Sequence, residues 1–525
     1  MNRRKFLSTA GLTGVAVTTL PTMIDSFAVR ALAGGDPRLE KLLEAQDRIL
    51  VLIQLPGGND GLNTVIPYTN PLYYENRPTI GIPKNKALKL NDTLGWHPAM
   101  SGMRDLFEGG ELAVVQGVTY PNSDRSHFRG TDIWLTATDA DVFGSTGWVG
   151  RYMQTLAPNY PTELPEHPLA VQIGTSTSLG LLGTTGPMGI SFRDPDEFYR
   201  LVNGGGGNEE VPSSAQGDTP AGREVAFMRN IARSADVYAS VVKKANDDAG
   251  TSTVTYPTSD IGAKLRVVSQ LVAGGLKSRI FLISWAGNNF DTHANQTSTT
   301  DPTLGAHAGL LGELSGAVSA FMQDMKNRGF GDKISGMTFS EFGRRVAENG
   351  SVGTDHGTAA PLFVFGAQVN GGVYGKDPNL MELDDRGDLL MENDYRDVYA
   401  SVLLQWFGVS TTKAQDVLFR DFSSKALPLF KSPVSVQDES SSRVGFISVG
   451  PNPAVDHVVV RVRVDSTASA TITVSDMRGK ELRTSSIDSW TGVGTIDLSG
   501  LTSGTYVLSL KADRAVTHTF VNITR

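Results

Sequence analysis

Ile49-Leu50-Val51-Leu52-Ile53-Gln54-Leu55 is an almost unbroken apolar run, closed by Pro56-Gly57-Gly58-Asn59-Asp60-Gly61. A strand with one wet face alternates apolar and polar residues. A continuous run of this length, rich in branched side chains, fits a strand buried on both faces of a parallel sheet. Similar runs stand at Leu112–Val118, Leu169–Ile173, Ile280–Trp285, Ile334–Phe339 and Pro361–Phe365. Helix-like stretches lie between them: Pro98–Phe107, Arg223–Asn246, Ile261–Gly274 and Ala306–Asn327. Strands alternating with helices predict an α/β body with a layered, mostly parallel sheet. Ligands of such sheets sit beyond the carboxyl ends of the strands, so the residues that follow each run decide the chemistry.

Those residues are polar. Gly57-Gly58-Asn59-Asp60 follows the first run, and Tyr120 to Phe128, with Ser123, Asp124, Arg125, Ser126 and His127, follows the second. Asp291-Thr292-His293 follows Ile280–Trp285, Ser340-Glu341-Phe342-Gly343-Arg344 follows Ile334–Phe339, and Gly353-Thr354-Asp355-His356-Gly357 leads into Pro361–Phe365. Carboxylates and imidazoles converging there are oxygen and nitrogen ligands of the kind that bind zinc, manganese or magnesium. The two-residue spacing of Asp291 and His293 lets both point to one side if extended. Asp60 after two glycines also suits a turn, and Glu341 with Arg344 also suits a helix-start ion pair. His97 is expected to pack or cap beside Trp96. His167 and His307 have no polar company in sequence and default to surface or structural roles.

The chain has 525 residues, of which 40% are hydrophobic and 19% charged, enough for a sizeable core and too apolar for wholesale disorder. Its formal net charge of −8 argues against a nucleic-acid partner, which normally needs a basic excess. No long apolar stretch follows the N-terminus, so a membrane-spanning body is not expected. Cysteine is absent, which excludes disulfides, thiolate metal sites, cysteine nucleophiles and a sulfatase nucleophile derived from cysteine. Residues 1–33 carry Arg3, Arg4 and Lys5, a weakly apolar run and Ala31-Leu32-Ala33, an order that resembles a twin-arginine export signal.

The phrases at 55–67 (LPGGNDGLNTVIP), 94–100 (LGWHPAM), 112–134 (LAVVQGVTYPNSDRSHFRGTDIW), 290–296 (FDTHANQ), 340–366 (SEFGRRVAENGSVGTDHGTAAPLFVFG) and 394–408 (DYRDVYASVLLQWFG) resemble one family. It is the domain-of-unknown-function family 1501, exported proteins grouped with the alkaline phosphatase-like superfamily. The resemblance runs from Arg48 to Gly408. It implies a doubly wound sheet in a domain over 34–430, with one or two divalent metal ions (zinc, manganese, magnesium or calcium) at the strand ends. It also implies hydrolysis or transfer of a phosphate or sulfate ester.

By the same resemblance Asp60 is a metal ligand, and so are Asp291 and His293. The nucleophile is Ser126 or Ser123, and Arg125 beside it is an oxyanion contact, with Arg344 as a second candidate. The last part threads in two ways. Asp355-His356 is itself an Asp-His metal pair, or Ser340-Glu341-Phe342-Gly343 holds that pair's place and His356 is the later lone ligand. In the second threading Glu341 is a ligand and Phe342 stands where a histidine is expected, so one metal loses a nitrogen.

The tail has another pattern. Residues 431–445 are serine-rich and read as a linker. Beyond them alternating runs at His457–Val464, Ala470–Ser475, Glu481–Ser486, Gly494–Leu498, Thr505–Leu510 and Thr517–Ile523 predict a small all-β sandwich over 446–525. The phrases at 449–460 (VGPNPAVDHVVV), 472–482 (ITVSDMRGKEL) and 496–510 (IDLSGLTSGTYVLSL) resemble the type A sorting domain of the type IX secretion system. That implies the type IX machinery as partner and a final place at the outer-membrane surface or outside the cell. Two functions fit the whole. One is an exported metal-dependent hydrolase of anionic phosphate or sulfate esters. The other is a non-catalytic surface protein that binds a ligand or partner in a degenerate metal-site crater.

Overall fold

The structure, a computed structural model, describes residues 47–204, 220–285, 287, 289–431, 444–464, 470–476, 480–487, 493–512 and 515–524. The export signal expected at 1–33 and most of the linker lie outside these residues. The described residues form two compact units, a body up to residue 431 and a tail from residue 444.

The body is built on one sheet. Its strands are β1 (Ile49–Gln54), β2 (Leu112–Thr119), β3 (Ala170–Ile173), β4 (Ile190–Phe192), β5 (Ile280–Ser284), β6 (Ile334–Phe339), β7 (Ala360–Phe365), β8 (Gly372–Tyr374) and β9 (Asn393–Asp394). Their spatial order is β8-β2-β7-β6-β1-β5-β3-β4, with β9 also paired to β2. β1 lies between β5 and β6 and is parallel to both, with Leu50 opposite Ile280 and Ile49 opposite Ile334.

The continuous apolar run at β1 is explained by burial on both sides. Leu50 and Leu52 enter one core, with Ile133 and Trp134 of α2 (His127–Thr136), Trp148 of α3 (Trp148–Leu156) and Tyr399 of α7 (Tyr395–Ser401). Ile49, Val51 and Ile53 enter the opposite core. There they meet Met103 of α1 (Ser101–Glu108), Val242 of α4 (Pro220–Asp248), Leu265 of α5 (Asp260–Ala273) and Leu314 of α6 (Ala306–Asn327). The body is therefore a doubly wound, three-layer α/β fold. Burying each such Leu, Ile or Val contributes roughly 1.5–3 kcal/mol.

One strand runs against the others. β7, expected among the parallel strands, is antiparallel to both β6 and β2. Its reversed direction puts the start of β7 at the edge where β1, β2, β5 and β6 end. The Asp355-His356 loop therefore shares that edge by preceding a strand, whereas the other polar loops share it by following one.

The tail has seven described strands: β10 (Val444–Gly450), β11 (His457–Val464), β12 (Ala470–Ser475), β13 (Glu481–Ile487), β14 (Val493–Asp497), β15 (Gly504–Ala512) and β16 (Ala515–Ile523). They form two antiparallel sheets, β10-β11-β14 and β13-β12-β15-β16. β10 begins inside the stretch read as linker. The tail's core, with Val458, Val460, Ile472, Leu508 and Val521, contains tail residues alone. Limited proteolysis is therefore expected to cut between 432 and 443, and a chain ending at 431 to keep the native melting temperature of the body within about 2 °C. A truncated body that aggregates or melts early would show that the tail is needed for folding.

Candidate metal centre

The loops at the common edge are stitched together by backbone bonds. Phe290 N–H donates to Pro56 C=O at 2.9 Å, Gly357 N–H to Gly343 C=O at 2.8 Å, and Thr354 N–H to Thr292 C=O at 3.2 Å. Ser340 Oγ donates to Leu55 C=O at 2.8 Å and accepts from Asn59 N–H at 2.9 Å. These bonds fix the post-β1, post-β5, post-β6 and pre-β7 segments relative to one another.

Three side chains meet on this frame. Among the described residues, His127, Asp291 and His356 form the one group whose potential ligand atoms all lie within 4.8 Å of one another. His127 Nε2 is 3.4 Å from Asp291 Oδ2, and His356 Nε2 is 3.2 Å from Asp291 Oδ1. Each imidazole is held from behind. His127 Nδ1 lies 2.7 Å from Glu341 Oε1, and His356 Nδ1 lies 2.8 Å from the carbonyl of Arg125. An Nδ1–H donated to each oxygen leaves both Nε2 lone pairs facing the shared carboxylate. That is the arrangement of histidines bound to a metal and oriented by an outer oxygen.

The charges follow from these contacts. The hydrogen bond to Glu341 raises the pKa of His127 above its usual value, against the effect of its burial. Burial lowers that of His356. Burial alone would raise Asp291, but the Arg344 guanidinium, 2.6 Å away, holds its carboxyl below the usual range.

The expected residues divide around this centre. Asp291 and His356 belong to it. His293 stands at its mouth, with Nδ1 at 2.8 Å from Asp291 Oδ1 and a side chain 43% exposed. Glu341 is behind His127, where it also accepts from Gly57 N–H at 2.7 Å. The pairing with Arg344 considered from sequence is not formed, because Arg344 pairs with Asp291. Phe342 packs its ring 4.9 Å from that of His127 and 4.6 Å from that of His356, at the place where a further histidine was expected.

Four further residues singled out in the sequence lie outside this group of three. Asp60 is fully buried and is not one of the three; its Oδ2 is bound by Arg77 at 2.6 Å and by Gln296, while its Oδ1 has no hydrogen-bond partner. Asp355 is exposed, with Oδ1 accepting from Asn349 at 3.0 Å. Arg125 turns Nη2 to Asp384, at 3.2 Å, and to Asp388, while its Nε has no hydrogen-bond partner. His307 has polar company: it is buried, with Nε2 at 3.0 Å from Asn59 Oδ1.

Ser126 is exposed and is the N-cap of α2, its Oγ accepting from Arg129 N–H at 3.4 Å. It directly precedes His127 and follows the carbonyl that holds His356. Ser123 is half-buried in the preceding turn. His127 stood in a loop noted from the sequence but was not assigned a ligand role there. The signal was its place at the first position of the helix after β2, beside a serine already singled out.

Gly57 adopts φ +117°, and a Cβ there would stand 2.3 Å from Asp291 N. Gly57→Ala is therefore expected to destabilise the body by about 2 kcal/mol and to displace Asp291. Urea unfolding together with metal titration checks this. Native values for both would show that the loop yields freely.

Residues 237–416 match the family described as "Protein of unknown function (DUF1501)", and residues 448–523 match "Secretion system C-terminal sorting domain". Both resemblances read from the sequence are met. The first match is narrower than the 48–408 span of the quoted phrases. No curated protein matches the chain. Among solved structures, the lipoteichoic acid synthase LtaP from Listeria monocytogenes is 9% identical at a TM-score of 0.34, covering 78% of this chain and 82% of its own. The PsFucS1 sulfatase from Pseudoalteromonas sp. is 12% identical at 0.34, covering 86% and 85%. A protein in the alkaline phosphatase superfamily from Vibrio parahaemolyticus is 10% identical at 0.30, covering 89% and 88%. Likeness at these scores carries no argument about chemistry. The sorting domain implies export to the cell surface or beyond.

Proposed function

With a body matched to the DUF1501 family and a sorting domain at its end as premise, we propose that this chain is an exported metal-dependent hydrolase of phosphate or sulfate esters. One observation carries the reading: two imidazoles, each fixed through Nδ1, turn Nε2 toward one carboxylate. His127, Asp291 and His356 would hold a divalent cation, with His293 at the mouth. Such a cation polarises an ester oxygen and neutralises charge on the group being transferred. Asp291 brings the negative charge, and Glu341 keeps His127 oriented.

Ser126 is the proposed nucleophile. It is exposed, it abuts His127, and it caps the N-terminus of α2, whose free N–H groups and dipole favour an anionic ester. The carbonyl of Arg125 keeps His356 in place, so the serine and both imidazoles are positioned by one turn of chain. Ser123 is the less favoured candidate, being half-buried one turn earlier. Asp60 would serve the fold rather than a metal, because its charge is met by Arg77.

A second reading, a non-catalytic surface protein that binds a ligand or partner in the same crater, is favoured by Phe342. Its ring lies against both imidazoles and offers no lone pair. Elemental analysis of the purified full chain separates the two. It is expected to find stoichiometric zinc, manganese, magnesium or calcium. A screen of phosphate monoesters, phosphate diesters and sulfate esters, with and without chelator, is expected to find chelator-sensitive turnover. Bound metal without turnover of any of them would favour the binding reading, and absence of metal would sink the hydrolase.

A further inference from the structure

Two buried arginines stand among the carboxylates of the crater. The Arg344 side chain is 0% exposed and donates from Nη2 to Asp291 Oδ1 at 2.6 Å. Its other donors go to backbone carbonyls of the loops: Nε to Gly58 at 2.8 Å, Nη1 to Thr354 at 2.7 Å, and Nη2 to Phe290 at 3.1 Å and to Gly57. Burial lowers its pKa, and Asp291, with smaller contributions from Asp60 and Glu341, works against that. Arg77, also 0% exposed, donates from Nη1 to Asp60 at 2.6 Å, from Nε to Val346 C=O at 2.9 Å and from Nη2 to Arg345 C=O at 2.8 Å.

The two aspartates that follow β1 and β5 are therefore each met by a fixed guanidinium. A carboxylate with a charge-assisted Arg contact keeps its geometry. It presents less net charge to an arriving cation. Phe342 removes a nitrogen ligand from the same neighbourhood. One guanidinium already meets Asp291, and the phenyl ring offers no lone pair, so the buried oxygens left over, Asp60 Oδ1 and Glu341 Oε2, lack a nitrogen partner with which to hold a second ion.

We infer that the crater is a one-metal centre in which Arg344 is the built-in second cation: a single divalent ion is held by His127, Asp291 and His356, and the Arg344 guanidinium stands among the carboxylates that would otherwise hold another. The inference rests on the metal reading above and adds its stoichiometry and the residue that sets it. A guanidinium does not dissociate and is not lost with pH, so the one positive charge that Arg344 adds to the ion's two is permanent. Arg344 is a positioning residue. It acts through Asp291, fixing Oδ1 so that Oδ2 faces His127.

The test is calorimetric titration of the chelator-treated full chain with zinc and with manganese, backed by elemental analysis, on native protein, Arg344→Gln and Arg344→Lys. Native protein is expected to saturate at one ion per chain. Arg344→Gln keeps amide donors but loses the charge. It is expected to take a second ion, or to bind the first about tenfold more tightly. Arg344→Lys, which keeps the charge, is expected to remain a one-ion protein. Native protein that takes two ions overturns the inference and leaves the metal reading standing, as does a folded Gln variant that binds as native does. Native protein that takes no ion removes the metal reading and the inference with it. Should the Gln variant fail to fold by circular dichroism, the native and Lys stoichiometries decide, and two ions in either overturns the proposal.

Discussion

An Asp291→Ala chain takes up no divalent cation at concentrations that load the native protein, and its affinity falls by more than about 100-fold. That is beyond the 10–100-fold that loss of an outer partner brings. The reason is geometric. Asp291 is the one carboxylate reached by both His127 Nε2, at 3.4 Å, and His356 Nε2, at 3.2 Å. Removing it leaves two imidazoles with nothing to complete the group. Glu341→Gln, one step further out, is expected to weaken uptake about 10–100-fold. It also changes the pH dependence. Uptake needs both Nε2 atoms free of protons. Glu341 raises the pKa of His127, so uptake in native protein fails as pH falls through that raised value. Glu341→Gln lowers it, so the midpoint of uptake moves to lower pH even though the plateau is weaker. His293→Ala keeps most of the affinity, since that side chain is 43% exposed at the rim. Full metal content in Asp291→Ala, measured by elemental analysis, would sink the assignment of the centre. A weaker plateau in Glu341→Gln with no shift in midpoint would reduce Glu341 to packing.

The parts legible in the sequence were those that burial writes into composition. β1, β5 and β6 are covered on both faces, so their apolar runs are continuous and their ends fall within a residue or so of the runs. The chain leaves these runs at one edge, which is why Asp60, Ser126, Asp291, His293, Glu341 and His356 were expected around one crater; His356 reaches that edge by preceding β7. Strand direction is not written that way. β7 is as apolar as its neighbours, and nothing in Leu362-Phe363-Val364-Phe365 says that it runs backwards. The seventh tail strand was hidden for a related reason: a serine-rich stretch runs directly into Val444, and composition changes later than structure does.

The site was less legible because partners distant in sequence decide it. Asp60 reads as a ligand until Arg77 is placed beside it. Asn76-Arg77-Pro78 has neither periodicity nor a motif that would bring the guanidinium there. Arg125 looked free beside Ser126, but Asp384 and Asp388, more than 250 residues later, take its charge. His307 looked idle because its partner Asn59 lies at the end of β1. Ligand types at strand ends are local information; which of them are already paired is not.

Acid should unfold the metal-free body in a window set by two buried histidines. Burial pushes His307 down to about 4 and His97 down to about 3. Burial keeps both neutral, and their contacts fix the rings. His307 Nε2 meets Asn59 Oδ1 at 3.0 Å, and His97 Nδ1 accepts from Ala99 N–H at 3.1 Å. In the unfolded chain each takes up a proton near pH 6.5. Between that pH and the folded values the unfolded state binds more protons, so stability is fully present above 6.5 and falls as pH falls. For His307 alone the loss from pH 6.5 to 4 is roughly 3 kcal/mol, a large part of a typical domain's stability. Asp60, held low by Arg77 against its burial, adds a loss of the same sign at lower pH. His127 opposes them: its raised value stabilises the metal-free fold below 6.5, a contribution lost as pH rises through that value. The opposition is partial, because His127 is partly exposed. His307→Gln keeps a donor for Asn59 and cannot titrate, so its stability should change less steeply over this window than that of native protein. Urea unfolding of both chains in chelator from pH 4 to 7.5 measures the two slopes. A flat native profile between 6.5 and 4.5, or an undiminished slope in His307→Gln, would show that His307 is not held neutral beneath the crater.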